Sequence, residues 1–264
     1  MNQQTAEHRR MPTVFVGHGS PMIAVERNSL TEGLKAAGEK ILAEYGSPRA
    51  ILAISAHWYV RGNKVQYEEH PEQVYDMYGF PKRLYDVKYA PQGYAPLSEA
   101  VLAIKDLHAE VDNTWGIDHG TWTPLVHMFP GAEIPIVQLS VSTTAGPEDA
   151  YAIGKKLARL RDEGYLILGS GNTVHNLAKV NWRNPGGTED AISFDNYILD
   201  CIQRRDDAAV IHYDSRPEAG YAVPTPEHFL PQLYILGASE GEKPYVFNHE
   251  CNLGAIAMTS YLFG

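Results

Sequence analysis

Four short apolar runs, separated by segments with helical spacing, constrain the fold of this 264-residue chain most strongly. The runs cover residues 13–16, 50–54, 136–139 and 165–168. Continuous apolar runs of this length are typical of strands that are buried on both faces. Since they alternate with helical segments, the sequence predicts an α/β fold, namely a three-layer sandwich with a mostly parallel central sheet and helices on both faces.

Apolar residues at helical spacing predict the helices that cover this sheet. The stripes contain Leu30, Leu34, Ile41 and Leu42; Leu97, Val101, Ile104 and Leu107; Ile153, Leu157 and Leu160; and Ile192, Tyr197, Ile198 and Ile202. Residues 255–262 are expected to form a last strand. Residues 66–93, rich in Tyr, Pro and Gly, predict a long loop that shapes a binding site. We expect a single catalytic domain over 1–264, with 1–10 as a flexible N-terminal tail.

The composition argues against several classes of partner. A formal net charge of -10 gives no electrostatic footprint for nucleic acid, and the sequence contains no compensating basic patch. No apolar run approaches the roughly 18 residues that a membrane span needs. Cys201 and Cys251 have no metal-binding or redox spacing and are expected to be reduced thiols. The expected location is therefore the cytoplasm, without nucleic-acid or membrane partners and with the oligomeric state left open.

Histidines follow three of the predicted strands. His18 comes after the first run, His57 after the second and His175 after the run at 165–168, each among small residues that would let a ligand approach the backbone closely. Ligands bind outside the carboxyl ends of strands in open α/β sheets. Because neutral imidazole is the commonest protein metal ligand, this convergence indicates a metal site.

His228 is a fourth candidate, because Thr225 and Pro226 before it predict the cap and first residue of a helix. Three histidine ligands with an open position describe a catalytic site rather than a structural one. Each histidine also has a structural explanation. His18 could lie in a tight turn, and His57 could be buried beside Trp58. His175 could cap a helix, and His228 could be a polar residue in the first turn of a helix. His119 could lie in a turn held by Asp118.

Six motifs occur in a fixed order along nearly the whole chain. They are Gly17-His18-Gly19-Ser20-Pro21-Met22, Ser55-Ala56-His57-Trp58, Tyr78-Gly79-Phe80-Pro81, Trp115-Gly116-Ile117-Asp118-His119-Gly120, Gly171-Asn172-Thr173-Val174-His175-Asn176-Leu177 and Pro224-Thr225-Pro226-Glu227-His228. Together they resemble the class III extradiol ring-cleavage dioxygenases of the LigB-like superfamily, in its 4,5-DOPA dioxygenase branch. The motifs are specific for the family and much less so for the substrate.

The resemblance implies a role for each histidine. His18 and His57 match the first two metal ligands, and His228 matches the third, where protocatechuate-cleaving relatives carry a carboxylate. His175 matches an active-site histidine assigned as acid or base, which also approaches the metal as a possible ligand. His119 matches a histidine that faces the substrate or supports the ligands.

The resemblance also implies one divalent metal per chain and insertion of O2 into a catechol-type, DOPA-like substrate to give a muconic semialdehyde. Zinc is the ion often described in this branch, whereas ring cleavage in the superfamily is an iron(II) reaction. Zinc is therefore expected as the bound ion and iron(II) as the working one. Trp58, Tyr78 and Phe80 are expected to form an apolar wall against the ring, although a core role fits each equally well.

Two alternatives stay open on the sequence. Zinc held by histidines on an α/β sheet also supports hydrolysis, because the ion activates water. A non-enzymatic metal-binding relative would keep the fold as a binding module. Retention of all five candidate histidines argues against the second alternative, since an interaction protein has no chemical need for them.

Overall fold

The computed structural model describes residues 10–264. The strands are β1 Thr13–Gly17, β2 Ala50–Val60, β3 Lys64–Val65, β4 Glu110–Val111, β5 Ile136–Ser142, β6 Tyr165–Gly171, β7 Pro244–Phe247, β8 Cys251–Asn252, β9 Ile256–Ala257 and β10 Ser260–Phe263. The α-helices are α1 Ser29–Tyr45, α2 Lys82–Tyr85, α3 Ala95–Leu102, α4 His119–Met128, α5 Pro147–Leu157, α6 Glu189–Arg204, α7 Asp207–Ile211, α8 Ala219–Ala222 and α9 Leu230–Ala238. Short 3-10 helices cover Pro21–Val25, Lys105–Leu107, Ala158–Arg161, Leu177–Lys179 and Tyr213–Ser215.

The main sheet has the strand order β4-β3-β5-β2-β6-β1-β10-β7. Its centre, β5-β2-β6-β1, is entirely parallel, while β10 and β7 extend one edge with antiparallel pairing. At the other edge β3 runs antiparallel to β5 and parallel to β4. The carboxyl ends of four neighbouring strands therefore lie together, as the predicted site requires.

Two hydrophobic layers cover the faces of this sheet. Phe15 of β1 packs with the helices α3, α5, α6 and α9, whereas its neighbours Val14 and Val16 pack with α1 and α4. This alternation follows from the two-residue period of a strand, which sends successive side chains to opposite faces. The predicted three-layer α/β sandwich is confirmed.

Several predicted bounds are wrong. β2 continues to Val60 instead of ending at residue 54, so His57 lies within the strand and not after it. The last strand is broken between β9 and β10 at residues 258–259. Helix α9 begins at Leu230, so Thr225 and Pro226 do not start it, and His228 lies in the turn that precedes it.

The expectation of a flexible tail over 1–10 lies outside the described residues except for Arg10. The guanidinium of Arg10 lies 2.5 Å from the Glu240 carboxylate and 3.6 Å from that of Asp162. Among residues 10–264, no helix is long and apolar enough to cross a membrane. That 1–264 forms a single domain stays a prediction.

Candidate metal centre

His18 occupies the first position after β1, and its ring is fully buried. Its Nδ1 lies 2.9 Å from Ser170 Oγ at the end of β6. The single hydroxyl hydrogen of Ser170 is donated to Gly120 O, so the oxygen accepts from His18 Nδ1–H. This arrangement fixes the tautomer of His18 and leaves a lone pair on Nε2.

His57 reaches the same edge through an irregularity in β2. The pairing of β2 with β5 shifts between Ser55 and Tyr59, so residues 56–58 have no partner in the ladder. Such a bulge re-aims side chains next to a functional site. His57 Nδ1 lies 3.1 Å from Asp76 Oδ2, a carboxylate that can only accept, so the lone pair of His57 is also on Nε2.

His228 completes the cluster from the turn before α9. Its Nδ1 lies 3.2 Å from Glu227 Oε1, which also accepts from Thr225 Oγ1. Its Nε2 is buried and has no hydrogen-bond partner among the described residues. A buried polar atom without a partner calls for a physical explanation, and an ion or a ligand is one of the recognised explanations.

One ring nitrogen from each of the three histidines lies close to the other two. One nitrogen from each of His18, His57 and His228 lies within 4.8 Å of the others, and the Nε2 atoms of His18 and His57 are 3.2 Å apart. Tetrahedral ligands at the usual Zn–N distance of about 2.0 Å stand roughly 3.3 Å from one another. The donor set therefore fits one divalent cation.

The electrostatics of the cluster favour neutral His18 and His228, whereas they favour protonation of His57, whose proton a bound metal would displace. Burial, followed by the nearby His57, holds the pKa of His18 well below its ordinary value. Burial and then His175 do the same to the pKa of His228. Burial also opposes protonation of His57, but the hydrogen bond to Asp76 and the charge of Asp118 outweigh it and raise that pKa. Neutral imidazoles keep their lone pairs available to a metal.

Asp76, in the long loop after β3, ties two histidines together. Its Oδ1 accepts from the backbone N–H of His119 at 2.9 Å and lies 2.9 Å from His119 Nδ1, while Oδ2 faces His57. Burial raises the pKa of Asp76, but the hydrogen bonds from His119 and His57 outweigh that effect and hold the pKa well below its usual range. An ionised Asp76 therefore orients both rings.

His119 is the first residue of α4, and its neighbour Asp118 caps that helix. The structural alternative for His119, a turn residue held by the Asp118 carboxylate, does not fit this arrangement. The Asp118 carboxylate accepts from Ser55 Oγ at 2.7 Å and from Trp115 Nε1 at 3.0 Å. Asp118 thus supports β2 just before His57, while the His119 ring lies 3.9 Å from the His57 ring.

His175 stacks on His228 with ring centroids 3.5 Å apart and an interplanar angle of 9°. Its backbone is fixed by a hydrogen bond to Ala222 O and a bridge to Ile256. One ring nitrogen of His175 lies within 4.8 Å of a carboxylate oxygen of Glu227 and of a ring nitrogen of His228, but His175 does not belong to the set formed by His18, His57 and His228. Burial, followed by the nearby His57, lowers the pKa of His175 to about 4.

The glycines beside the histidines serve backbone packing. A Cβ at Gly171 would lie 2.1 Å from His228 O, and one at Gly17 would lie 2.7 Å from the backbone of Met258. The sequence interpretation, in which small residues admit a ligand to the backbone, is therefore wrong at these two positions. Gly171 instead lets the turn that carries His228 approach the end of β6.

A cavity of about 450 Å³ opens beside the five candidate histidines, all of which line it. Of the three predicted aromatic residues, only Phe80 lines this cavity. The side chain of Tyr78 is 92% exposed, and Trp58 is buried away from the cavity. Of the predicted aromatic wall, Phe80 therefore remains, and Trp182, which was not predicted, supplies a second aromatic side chain to the cavity.

Sequence reasoning missed Asp76 and Ser170, which fix the rings of His57 and His18. Ser170 lies in the glycine-rich end of β6, but its pairing with His18 depends on the adjacency of β1 and β6. Asp76 lies two residues before the Tyr78-Gly79-Phe80-Pro81 motif in the long loop that was expected to shape the site. That motif was the only available signal for it.

The structure so far defines a class, namely α/β metalloproteins with a histidine cluster at the carboxyl edge of a parallel sheet. The family model described as the catalytic LigB subunit of aromatic ring-opening dioxygenase matches residues 11–264. Relatives in Escherichia coli K12 and Beta vulgaris, both named 4,5-DOPA dioxygenase extradiol, are 36% and 34% identical to this chain. The alignment with the Escherichia coli protein covers 97% of this chain and 95% of that protein. The alignment with the Beta vulgaris protein covers 95% of this chain and 96% of that protein.

A crystal structure of an uncharacterized protein from Escherichia coli K12 has the same fold. It superposes with a TM-score of 0.84 at 34% identity, over 97% of this chain and 100% of that one. The chain belongs to the LigB family of extradiol ring-cleaving dioxygenases. Members of this family use a single metal, and the histidine cluster is compatible with it.

Proposed function

We propose that the chain opens the ring of a catechol with O2 at one iron(II) ion held by His18, His57 and His228. The observation that carries this proposal is the convergence of imidazole nitrogens in a cavity, with His228 Nε2 buried and without a hydrogen-bond partner among the described residues. The names of the relatives, which specify DOPA, support a catecholic substrate. Iron(II) supplies electron exchange with dioxygen, which zinc(II) cannot supply because it has no accessible redox change.

His175 is the proposed acid and base. Its ring lines the cavity beside His228, and burial lowers its pKa, so the imidazole is neutral and has a lone pair that can accept a proton from a catechol hydroxyl. The lowered pKa also favours return of that proton from His175 during ring opening. The stacking contact with His228 holds the imidazole in place for both transfers.

His119 and Phe80 also line the cavity. His119 is held by Asp76 through Nδ1, and its Nε2 can accept a hydrogen bond from a hydroxyl group of the substrate. Phe80 offers an apolar face for the aromatic ring. In this proposal both groups position the substrate while His175 moves the proton.

Reconstitution of the metal-free protein tests the function. Iron(II) and zinc(II) are loaded separately under anaerobic conditions, and a catechol panel with O2 is followed by the yellow colour of the ring-opened product. The proposal expects turnover with iron(II) and none with zinc. Activity with zinc and none with iron would overturn the metal assignment.

The same experiment distinguishes the dioxygenase from a zinc-dependent hydrolase and from a non-enzymatic metal-binding relative. Tight zinc binding without catechol cleavage in the iron form would favour a hydrolase. Failure to bind either ion tightly would favour a non-enzymatic relative. In either case the dioxygenase proposal would fail.

A further inference from the structure

Asn172 is the first residue after β6 and is only 1% exposed. It belongs to the motif that also contains His175, yet it is not among the described residues that line the cavity. Burial of an amide is unfavourable unless its donor and its acceptor are both hydrogen-bonded. The role of Asn172 therefore follows from the partners of its polar groups.

The backbone of Asn172 holds one of the proposed metal ligands. Its N–H donates to the carbonyl oxygen of His228 at 2.9 Å. Because His228 lies in the turn before α9, this bond ties that turn to the end of β6. The preceding residue, Gly171, accepts from the N–H of His18 at 3.1 Å. The backbones of two proposed ligands are thus attached to adjacent residues at the end of one strand.

The side chain of Asn172 holds the turn that follows His18. Its Oδ1 accepts from the N–H of Gly19 at 3.3 Å. Gly19 has no side chain of its own, and its φ of +57° lies in the left-handed region that glycine adopts readily. The conformation of this turn therefore depends on contacts made by other residues, and the amide of Asn172 supplies a polar one.

The amide nitrogen of Asn172 binds the segment at the end of β9. Its Nδ2 donates to Ala257 O at 2.8 Å and lies 3.9 Å from Met258 Sδ. Met258 packs over the same turn, since a Cβ on Gly19 would lie 2.5 Å from that sulfur. An amide suits this position because Gly19 offers a donor and Ala257 an acceptor. An ionised carboxylate would lack the second hydrogen bond, and an aliphatic side chain would lack both.

We propose that Asn172 is a positioning residue of the metal centre, which holds the turn after His18 at a fixed distance from the turn that carries His228. The inference rests on the proposed metal ligands and adds a residue that contacts neither the ion nor the substrate. The ring centroids of His18 and His228 are 5.3 Å apart. This separation depends on Asn172, because its side chain binds one turn and its backbone binds the other.

Zinc affinity, measured by competition with a chelator, tests the role of the side chain. Asn172→Ala removes both amide contacts and should weaken zinc binding by about tenfold or more, the usual effect of removing support from a metal-binding histidine. Asn172→Asp keeps an acceptor for Gly19 N–H and should recover most of the affinity. Wild-type affinity in Asn172→Ala, or an equal loss in Asn172→Asp, would overturn the inference.

A matched control separates this role from a general loss of packing. Asn63→Ala removes an amide contact to the carbonyl oxygen of Leu107, outside the site, and should bind zinc as the wild type does. An equal loss of affinity in this variant would contradict the role of Asn172. Asn172→Ser is measured if Asn172→Ala does not fold. Its hydroxyl group is too short to reach both partners, so the same loss is expected, and wild-type affinity would again overturn the inference.

Cobalt(II) in place of zinc gives a readout that reduced stability alone would not change. Its visible absorption spectrum depends on the number and arrangement of the ligands. At saturating cobalt, Asn172→Ala should change the spectrum, whereas Asn63→Ala should keep that of the wild type. A wild-type spectrum in Asn172→Ala would show that the ligands keep their arrangement, which would overturn the positioning role.

The outcomes for the two proposals are distinguishable. Ring cleavage by the wild-type iron form, together with wild-type zinc affinity in Asn172→Ala, would overturn only the role of Asn172. Weaker zinc binding in Asn172→Ala without ring cleavage by the wild type would overturn the proposed function and leave the positioning role intact.

Discussion

The Nε2 atoms of His18 and His57 lie 3.2 Å apart, and the second nitrogen of each ring is committed to Ser170 and Asp76 respectively. Two acceptor nitrogens at this separation repel each other unless a cation lies between them. The contacts of the Nδ1 atoms with Ser170 and Asp76 therefore leave the two Nε2 atoms free to bind a cation. Removal of such a hydrogen-bond partner from a metal-binding histidine usually lowers metal affinity by about 10–100-fold.

Asp76→Asn should weaken metal binding by about tenfold or more. The amide cannot accept from both His57 and His119 with the strength of an ionised carboxylate, so the His57 ring loses its fixed tautomer. Competition with a chelator measures the affinity. Asp86→Asn, an exposed position in the same loop, is the control, and an equal loss in both variants would contradict the role of Asp76.

Ser170→Ala should lower metal affinity by about tenfold, with little change in folding. The substitution removes the acceptor for His18 Nδ1–H and frees the ring to rotate or change tautomer. The same chelator competition applies. Ser142→Ala is the matched control, because Ser142 is buried at the end of β5 and pairs with Thr144 rather than with a histidine. Wild-type affinity in Ser170→Ala would refute the proposed constraint on His18.

His175→Ala should retain about one metal per chain while lowering kcat by roughly 10²–10⁴-fold, the usual contribution of a general acid or base. The reason is that His175 falls outside the set formed by His18, His57 and His228. Elemental analysis and steady-state kinetics give the two readouts. Loss of the metal would instead make His175 a ligand. His212→Ala, at an exposed histidine, serves as the control.

Asp195→Asn should stabilise the protein at pH 8 more than at pH 5. Burial raises the pKa of Asp195 to about 7 against the hydrogen bond from Thr259 Oγ1, and Oδ1 has no partner among the described residues. Between the ordinary value of 3.8 and about 7, the folded state binds more protons than the unfolded state. The wild-type free energy of unfolding therefore decreases as pH rises through this range.

The stabilisation by Asn at pH 8 relative to pH 5 should be on the order of 1–3 kcal/mol, since one pKa unit corresponds to about 1.4 kcal/mol. Urea unfolding of the metal-free protein at both pH values measures it. Asp200→Asn, an exposed position on the same helix, should show no such difference. A stabilisation by Asp195→Asn that does not depend on pH would contradict the assignment.

The sequence predicted best those strands and helices that have a regular pattern of apolar residues. Buried parallel strands have a characteristic apolar run, so β1, β5 and β6 could be located, and with them the edge that carries His18 and His175. The bulge at residues 56–58 could not be predicted, because extra unpaired residues have no periodic signature. For the same reason β2 was expected to end before His57.

The contacts made by side chains of the long loop could not be predicted from the sequence either. Asp76 acts through the path of a long loop that brings it to both His57 and His119, and no spacing rule connects these positions. Tyr78 lies in the same loop but points to solvent, whereas Phe80 lines the cavity. Aromatic residues two positions apart were indistinguishable without the loop conformation.

The most direct test of the central claim is the stoichiometry of oxygen uptake by the iron(II)-loaded protein. An oxygen electrode and product absorbance are recorded together while a catechol is converted. The account predicts one O2 consumed for each ring-opened product, with no hydrogen peroxide formed, because both oxygen atoms enter the product. Ring opening without oxygen uptake, or oxygen uptake that yields quinone and peroxide without ring opening, would contradict it.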